Sequence, residues 1–275
     1  MLPARGRGRP GGVRTLTTLA TIALAALAVG ALAAAVWLAA ERRRLRGRVD
    51  AASNELQRMQ AAFGRFAPGA VVDRIVARGK PSDAERRDVT VLFADLFGFT
   101  ALGETLTPEA LVALLNDYFG RMSRVVEQHR GQVSKFIGDG LMAVFGAPLA
   151  LDDHAVASAR AALDMIEMID LLNVERVAVG KSAIRIGIGI ASGEVIAGYT
   201  GTQQRATYTC VGDTVNRAAR LEALTKEANR AILVDAALRE QLGERLAVES
   251  LGPVRLKGLT TPVEVYAITV ARPAV

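Results

Sequence analysis

Two aspartates stand where divalent-ion chemistry could be carried out. Asp95 follows the apolar run Val89–Ala94 inside the string Phe93-Ala94-Asp95-Leu96-Phe97-Gly98-Phe99-Thr100, and Asp139 lies within Lys135-Phe136-Ile137-Gly138-Asp139-Gly140. Each closes a short hydrophobic stretch that reads as a strand, beside a glycine that lets backbone approach a ligand. Two carboxylates surrounded by oxygen chemistry suit Mg²⁺ or Mn²⁺ carried with a polyphosphate. A lone aspartate in Gly-Asp-Gly more often serves a turn. The length of the string around Asp95, and the matching strand before Asp139, favour the metal reading. Downstream, Asn216 and Arg220 are four apart in a helical stretch and therefore share a face.

The elements that must position these residues alternate between strand and helix. Val89–Ala94 reads as a strand. Pro108 opens a helix to about His129. Gln132–Ile137 and Leu141–Phe145 read as a hairpin around Gly138-Asp139-Gly140. Asp152 starts a helix to about Asn173, Ala183–Ala191 and Ala206–Val211 read as strands, and Asp213 is expected to cap a helix to about Glu227. The last strand is Val263–Ile268. Hairpins within an α/β order predict a mixed sheet. Two motifs are discounted. Gly180-Lys181-Ser182 resembles the end of a phosphate-binding loop, but the glycine required upstream is Glu175. Gly187-Ile188-Gly189 lies within a strand rather than at a strand-to-helix turn. The two histidines, His129 and His154, read as isolated at helix ends or loops. Cys210 is the lone cysteine and reads as core packing, with no internal disulfide available to it.

With these strings in view, residues from about Val89 to Ile268 resemble the catalytic domain of class III adenylate and guanylate cyclases. The resemblance rests on Val91 to Thr100, Lys135 to Gly140, Ile186-Gly187-Ile188-Gly189-Ile190-Ala191-Ser192-Gly193-Glu194-Val195, Val211-Gly212-Asp213-Thr214-Val215-Asn216-Arg217-Ala218-Ala219-Arg220, and Lys257-Gly258, in the family's order. It implies a mixed-sheet α/β domain with a ferredoxin-like core, acting as a head-to-tail homodimer with sites in the interface. It implies that Asp95, Asp139 and the Leu96 backbone carbonyl bind two Mg²⁺ or Mn²⁺ ions. The backbone of Phe97, Gly98, Phe99 and Thr100 would cradle the triphosphate, with Arg185 and Lys257 on its tail. Asn216 would orient the ribose, and Arg220 would stabilise the pentavalent phosphorus. Lys135 and Thr209 occupy the base-reading positions. Lysine suits adenine, whereas guanine-selective members carry glutamate there. Threonine departs from the aspartate of most adenylate cyclases but can accept from the adenine amino group. The Lys/Thr pair resembles one adenylate cyclase subgroup. The expected reaction is ATP to cyclic AMP and pyrophosphate. The alternatives are a guanylate cyclase and a membrane-tethered nucleotide sensor without turnover.

The remainder of the chain suggests how such a domain is held. Its net charge of +6 is concentrated at the N-terminus, where residues 1–50 hold nine arginines against Glu41 and Asp50. The remaining residues are close to neutral, which argues against nucleic acid as partner and for a membrane surface. After the basic tail 1–14, residues 15–40 carry no charge, and Trp37 stands near one end. A bilayer core takes roughly 20 apolar residues in a helix, so one transmembrane span is expected. A cleaved signal peptide is the rival reading, disfavoured by the length of the stretch. Leu45, Val49, Ala52, Leu56, Met59, Phe63 and Phe66 then follow a 4-3 spacing, an a/d seam expected to form a short parallel coiled coil, the alternative being an amphipathic helix resting on its own domain. Residues 41–81 thus read as coiled coil and linker, with a short helix over 71–77. Residues 82–275 read as the catalytic domain, on the cytoplasmic side of the cell membrane where nucleotide is available.

Overall fold

The computed structural model describes residues 37–53, apart from 39, 40, 45, 48 and 52, and residues 84–269, apart from 202–205, 259 and 260. The chain divides into two compact units, residues 1–63 and 64–275. In the first unit the described residues are helical. The predicted span over 15–40, the seam over 45–66 and the short helix over 71–77 lie wholly or mostly outside the described residues. Among those that are described, no helix is long and apolar enough to cross a membrane.

The second unit runs β1 (Glu85–Leu96), α1 (Phe99–Thr105), α2 (Pro108–Gln128), β2 (Gln132–Ile137), β3 (Gly140–Phe145), α3 (His154–Ala178), β4 (Ile186–Gly201), β5 (Ala206–Val211), α4 (Asp213–Ala228), β6 (Ile232–Asp235), α5 (Ala236–Leu242), β7 (Val248–Val254) and β8 (Val263–Ile268). The strands form one sheet in the order β2-β3-β1-β4-β6-β8-β7, with β5 paired to the C-terminal part of β4, Ile196 to Gly201. β4 and β6 are parallel, and the other pairings are antiparallel. The expected mixed sheet is therefore present.

Strand side chains alternate between faces, and here both faces are apolar. Leu92, Ala94 and Leu96 of β1, with Leu141, Ala143 and Phe145 of β3, pack into a core shared with Met122 and Val125 of α2, Met165 and Ile169 of α3, and Leu238 of α5. Val89 and Val91, with Met142 and Val144, join the other core with Ala218 and Leu221 of α4. So α2, α3 and α5 cover one face and α4 covers the other. Pro108 stands in the first turn of α2, where its missing N–H costs no hydrogen bond, and Thr107 caps that helix by accepting from Ala110 N.

Several boundaries differ from expectation: β1 runs Glu85–Leu96 rather than Val89–Ala94, and α3 starts at His154 rather than Asp152. β4 begins at Ile186 and continues to Gly201, because Ser192-Gly193 stays in the ladder opposite Thr90 and Val89 instead of ending it. α3 extends to Ala178, where no proline or glycine interrupts Val174-Glu175-Arg176-Val177-Ala178. Asp213 is the first residue of α4 rather than its cap. Gly212 holds the cap position, without a side-chain hydrogen bond.

Candidate active site

The two aspartates converge because their strands are neighbours. Asp95 lies opposite Gly187 of β4, and the adjoining Ala94 lies opposite Leu141 of β3. Asp139 occupies the β2–β3 turn, whose Gly138 has φ 62°. The approach is close: a Cβ on Gly140 would stand 3.0 Å from Asp95 Oδ1 and 3.1 Å from Ala94 O. Burial, and then the charge of Asp95, raises the pKa of Asp139. Glu222, on α4, faces the same place. Burial pushes its carboxyl up to about 7, with Asp95 adding to the effect, and its Oε1 is buried without a hydrogen-bond partner. The Tyr118 hydroxyl of α2 is likewise buried and unpartnered, its pKa raised first by burial and then by Asp95 and Asp139. Lys226, one turn beyond Glu222, places Nζ 3.0 Å from Asp95 Oδ2. Burial opposes its charge, but the bond to Asp95 and the surrounding carboxylates raise its pKa. Among the described residues no group of three metal-ligating side chains is arranged to hold an ion, so the metal reading rests on the Asp95–Asp139 pair, whose oxygen donors suit a hard divalent cation.

The residues expected to cradle phosphate lie directly beyond Asp95. Gly98 has φ 68° and open space where a Cβ would project, so the chain turns tightly there with its backbone uncovered. Phe99 and Thr100 begin α1. Phe97 N donates to Arg185 O at 2.8 Å, and the Arg185 guanidinium lies 5.1 Å from the Phe97 ring centroid. Arg185 is therefore brought to the cradle, where its side chain also donates to Asn229 Oδ1 at 3.3 Å.

The other expected site residues are not brought to the carboxylates. The start of α4 is held at the middle of β4. Thr214 Oγ1 donates to Glu194 O at 3.1 Å, and Arg217 Nη2 donates to Ser192 O at 3.1 Å. Its far end reaches Gly187, where an added Cβ would strike Thr225. With a rise of 1.5 Å per residue, Asn216 lies about 15 Å along the axis from Lys226. Arg220 and Glu222 are about 200° apart around the helix, so they point to opposite sides. Asn216 and Arg220 are exposed. Gly258 lies beside Arg220, a Cβ there being 3.9 Å from Arg220 Nη2, which puts the Lys257-Gly258 turn with α4. Lys135 is exposed on β2 and near enough to β5 to act on the Cys210 thiol. Burial pushes that thiol up to about 11, and Lys135 opposes the shift. The adjacent Thr209 keeps a buried hydroxyl without a partner. The expected site residues thus fall in two groups: Asp95, Asp139, Phe97 to Thr100 and Arg185 in one, and Asn216, Arg220 and Lys257 in the other, with Lys135 on β2 and Thr209 on β5.

The histidines are not isolated. His129 Nε2 pairs with Asp164 Oδ2 at 2.7 Å. His154 Nδ1 meets Thr90 Oγ1 at 2.7 Å, in a buried chain that continues to Ser192 Oγ. Both tie elements together away from the carboxylates. Cys210 is buried in the core as expected. Gly187 and Gly189 serve packing: a Cβ on Gly189 would enter the backbone of α4 at Ala218 and Glu222. Sequence reasoning missed Tyr118, Glu222 and Lys226. Glu222 and Lys226 have the i,i+4 spacing of a solvent-facing ion pair, and no local signal turns them toward strands more than a hundred residues earlier.

Comparison with known proteins extends these observations. Residues 82–270 match the family described as the adenylate and guanylate cyclase catalytic domain. Adenylate cyclase 1 of Rhizobium meliloti (strain 1021) is 32% identical over 222 residues, which are 80% of this chain and 33% of that protein. The chain thus spans about a third of that curated relative. Among solved structures, the adenylyl cyclase CyaB from P. aeruginosa superposes with a TM-score of 0.65 and 32% identity, over 70% of this chain and 98% of that one. The guanylyl cyclase Cya2 gives 0.62 and 33%, over 67% and 93%.

Proposed function

This chain belongs to the adenylate and guanylate cyclase catalytic-domain family, and we propose that it is a membrane-anchored, homodimeric adenylate cyclase converting ATP to 3′,5′-cyclic AMP and pyrophosphate. The observation that supports the reading is the separation of the two groups of site residues: Arg220 points to the opposite side of α4 from Glu222, and Asn216 lies about 15 Å along the axis from Lys226, an arrangement that a second copy would complete. A symmetric dimer would hold two such sites.

In this reading Asp95, Asp139 and the Leu96 carbonyl hold the divalent ions, whose chemistry is to activate the ribose 3′-hydroxyl and neutralise the leaving pyrophosphate. The backbone from Phe97 to Thr100 receives the triphosphate, with Arg185 beside it. From the partner copy, Arg220 meets the charge that develops on phosphorus, an electrostatic contribution that grows toward the transition state. Asn216 orients the ribose, and Lys257, adjoining Arg220, contacts the phosphate tail. Lys135 donates to an adenine ring nitrogen, and the unpartnered Thr209 hydroxyl accepts from the amino group. Relatives of both base specificities resemble this chain to the same degree, so the choice of ATP rests on Lys135 and Thr209. The uncharged segment 15–40 and the seam 45–66 support an anchor and a dimerising stalk, with the catalytic unit on the cytoplasmic side.

Two measurements test the reading. The full-length protein with Mn²⁺ should convert ATP to cyclic AMP and leave GTP largely unchanged. Cyclic GMP as main product would move it to the guanylate class, and no cyclic product at all would favour a nucleotide sensor. Mixing inactive Asp95→Ala chains with inactive Arg220→Ala chains should restore activity, since each mixed dimer keeps one intact site. A mixture that stays inactive although the chains associate would overturn the shared site.

A further inference from the structure

Lys226 has no part in the reaction described above, yet it makes the most direct contact with the carboxylate pair. Its Nζ lies 3.0 Å from Asp95 Oδ2, and the Asp95 side chain is only 26% exposed. The same ammonium stands 5.8 Å from the Phe97 ring centroid. The other cation near this ring, Arg185, bonds Asn229 instead. Asp139 and the half-buried Glu222 crowd the same space, and Glu222 Oε1 has no partner. Without a divalent ion, the cation bonded to these carboxyl groups among the described residues is Lys226, whose charge is carried on a flexible four-carbon stem. A cation that binds Asp95 must first displace it.

We propose that Lys226 is a built-in placeholder: its ammonium holds Asp95 in the metal-free chain and competes with the divalent ion for that oxygen, so that it sets the metal affinity of the site. The inference rests on the reading of Asp95 and Asp139 as metal-binding residues. A placeholder of this kind keeps like charges from forcing the β1 end and the β2–β3 turn apart before the ion arrives, at the expense of affinity once it does. Lysine suits the role better than arginine, because a compact ammonium on a rotatable stem withdraws without breaking a planar two-point contact.

The test is Mn²⁺ binding to the full-length protein without nucleotide, followed by the loss of the electron paramagnetic resonance signal of free Mn²⁺. Lys226→Met keeps most of the stem and removes the charge. It should bind Mn²⁺ about two- to fivefold more tightly than the parent, the scale expected of a partly exposed ion pair. Lys226→Arg should restore parental affinity or weaken it further. In a melting experiment, Mn²⁺ should raise the midpoint of Lys226→Met more than that of the parent. Lys226→Gln supplies a second neutral variant should the methionine fold poorly, and position 226 lies in the last turn of α4 with its side chain nearly half exposed. Unchanged or weaker Mn²⁺ binding in the neutral variants would overturn the placeholder. Asp95→Asn separates the two ideas. If it binds Mn²⁺ as tightly as the parent, the metal assignment falls and the placeholder with it. If it binds more weakly while Lys226→Met shows no gain, the placeholder alone falls.

Discussion

The work proposed for Asp95 and Asp139 is done through charge, and neither contributes an apolar side chain to the cores. Replacing either with alanine should leave the domain folded and remove nearly all cyclase activity. Retention of more than about a tenth of parental turnover by either variant would contradict the two-ion assignment. His154 gives a residue-scale prediction about pH. Burial lowers its pKa from 6.5, while Asp88, Asp153 and Asp152 partly oppose the shift. Because the folded-state pKa is depressed, the unfolded chain binds a proton in this window that the folded chain does not. Stability should therefore fall as pH drops below about 6.5 and level off below the folded-state pKa. In His154→Gln that component should disappear, and urea melts at pH values on either side of the window should differ less than in the parent. An unchanged pH slope would show that His154 titrates normally.

α4 is the element that carries residues of both groups, with Glu222 and Arg220 on opposite sides and Asn216 and Lys226 about 15 Å apart along its axis. Its seat has two parts. Gly187 and Gly189 remove the side chains that would hold the helix off β4. Arg217 Nε bonds the buried Asp235 Oδ2 at 2.6 Å, while Asp235 Oδ1 caps α5 at Leu238 N. Arg217→Met would leave a buried carboxylate without its cation, a loss of about 3 kcal/mol. Chemical denaturation should show that loss. Activity should fall as well, although Arg217 touches no substrate, because Asn216 and Arg220 lose their fixed presentation. Gly189→Ala should act similarly through overpacking, by about 1–3 kcal/mol. Parental stability in both variants would mean that the seat of α4 lies elsewhere.

At the scale of the whole molecule, the proposed seam between residues 45 and 66 would raise the local concentration of one catalytic unit around another. Leu56→Asp with Met59→Asp would put like charges at adjacent core positions of that seam, where burial is unfavourable. Activity should then become strongly dependent on protein concentration and recover when concentration is high, with the chemistry untouched. Full activity of the double variant at low nanomolar concentration would assign the segment some other role than dimerisation.

The sequence by itself determined the family and the residue types of the chemistry. The strings around Asp95, Asp139, Asn216 and Lys257 are local, and their turns and strand ends follow from glycines and apolar runs within a few residues. The order of strands and helices was legible for the same reason, with errors where a boundary depends on a distant partner, as at Ser192-Gly193. Tertiary structure decided the rest. Only the β1–β3–β4 ladder brings Asp139 beside Asp95, and only the seating of α4 turns Glu222 and Lys226 inward to them while Arg220 faces out. A 3.6-residue period states which residues share a helix face, but not what that face meets. That depends on contacts between residues far apart in the chain, and it is why Glu222 beside the aspartates, and the ammonium held at Asp95, emerge in three dimensions alone.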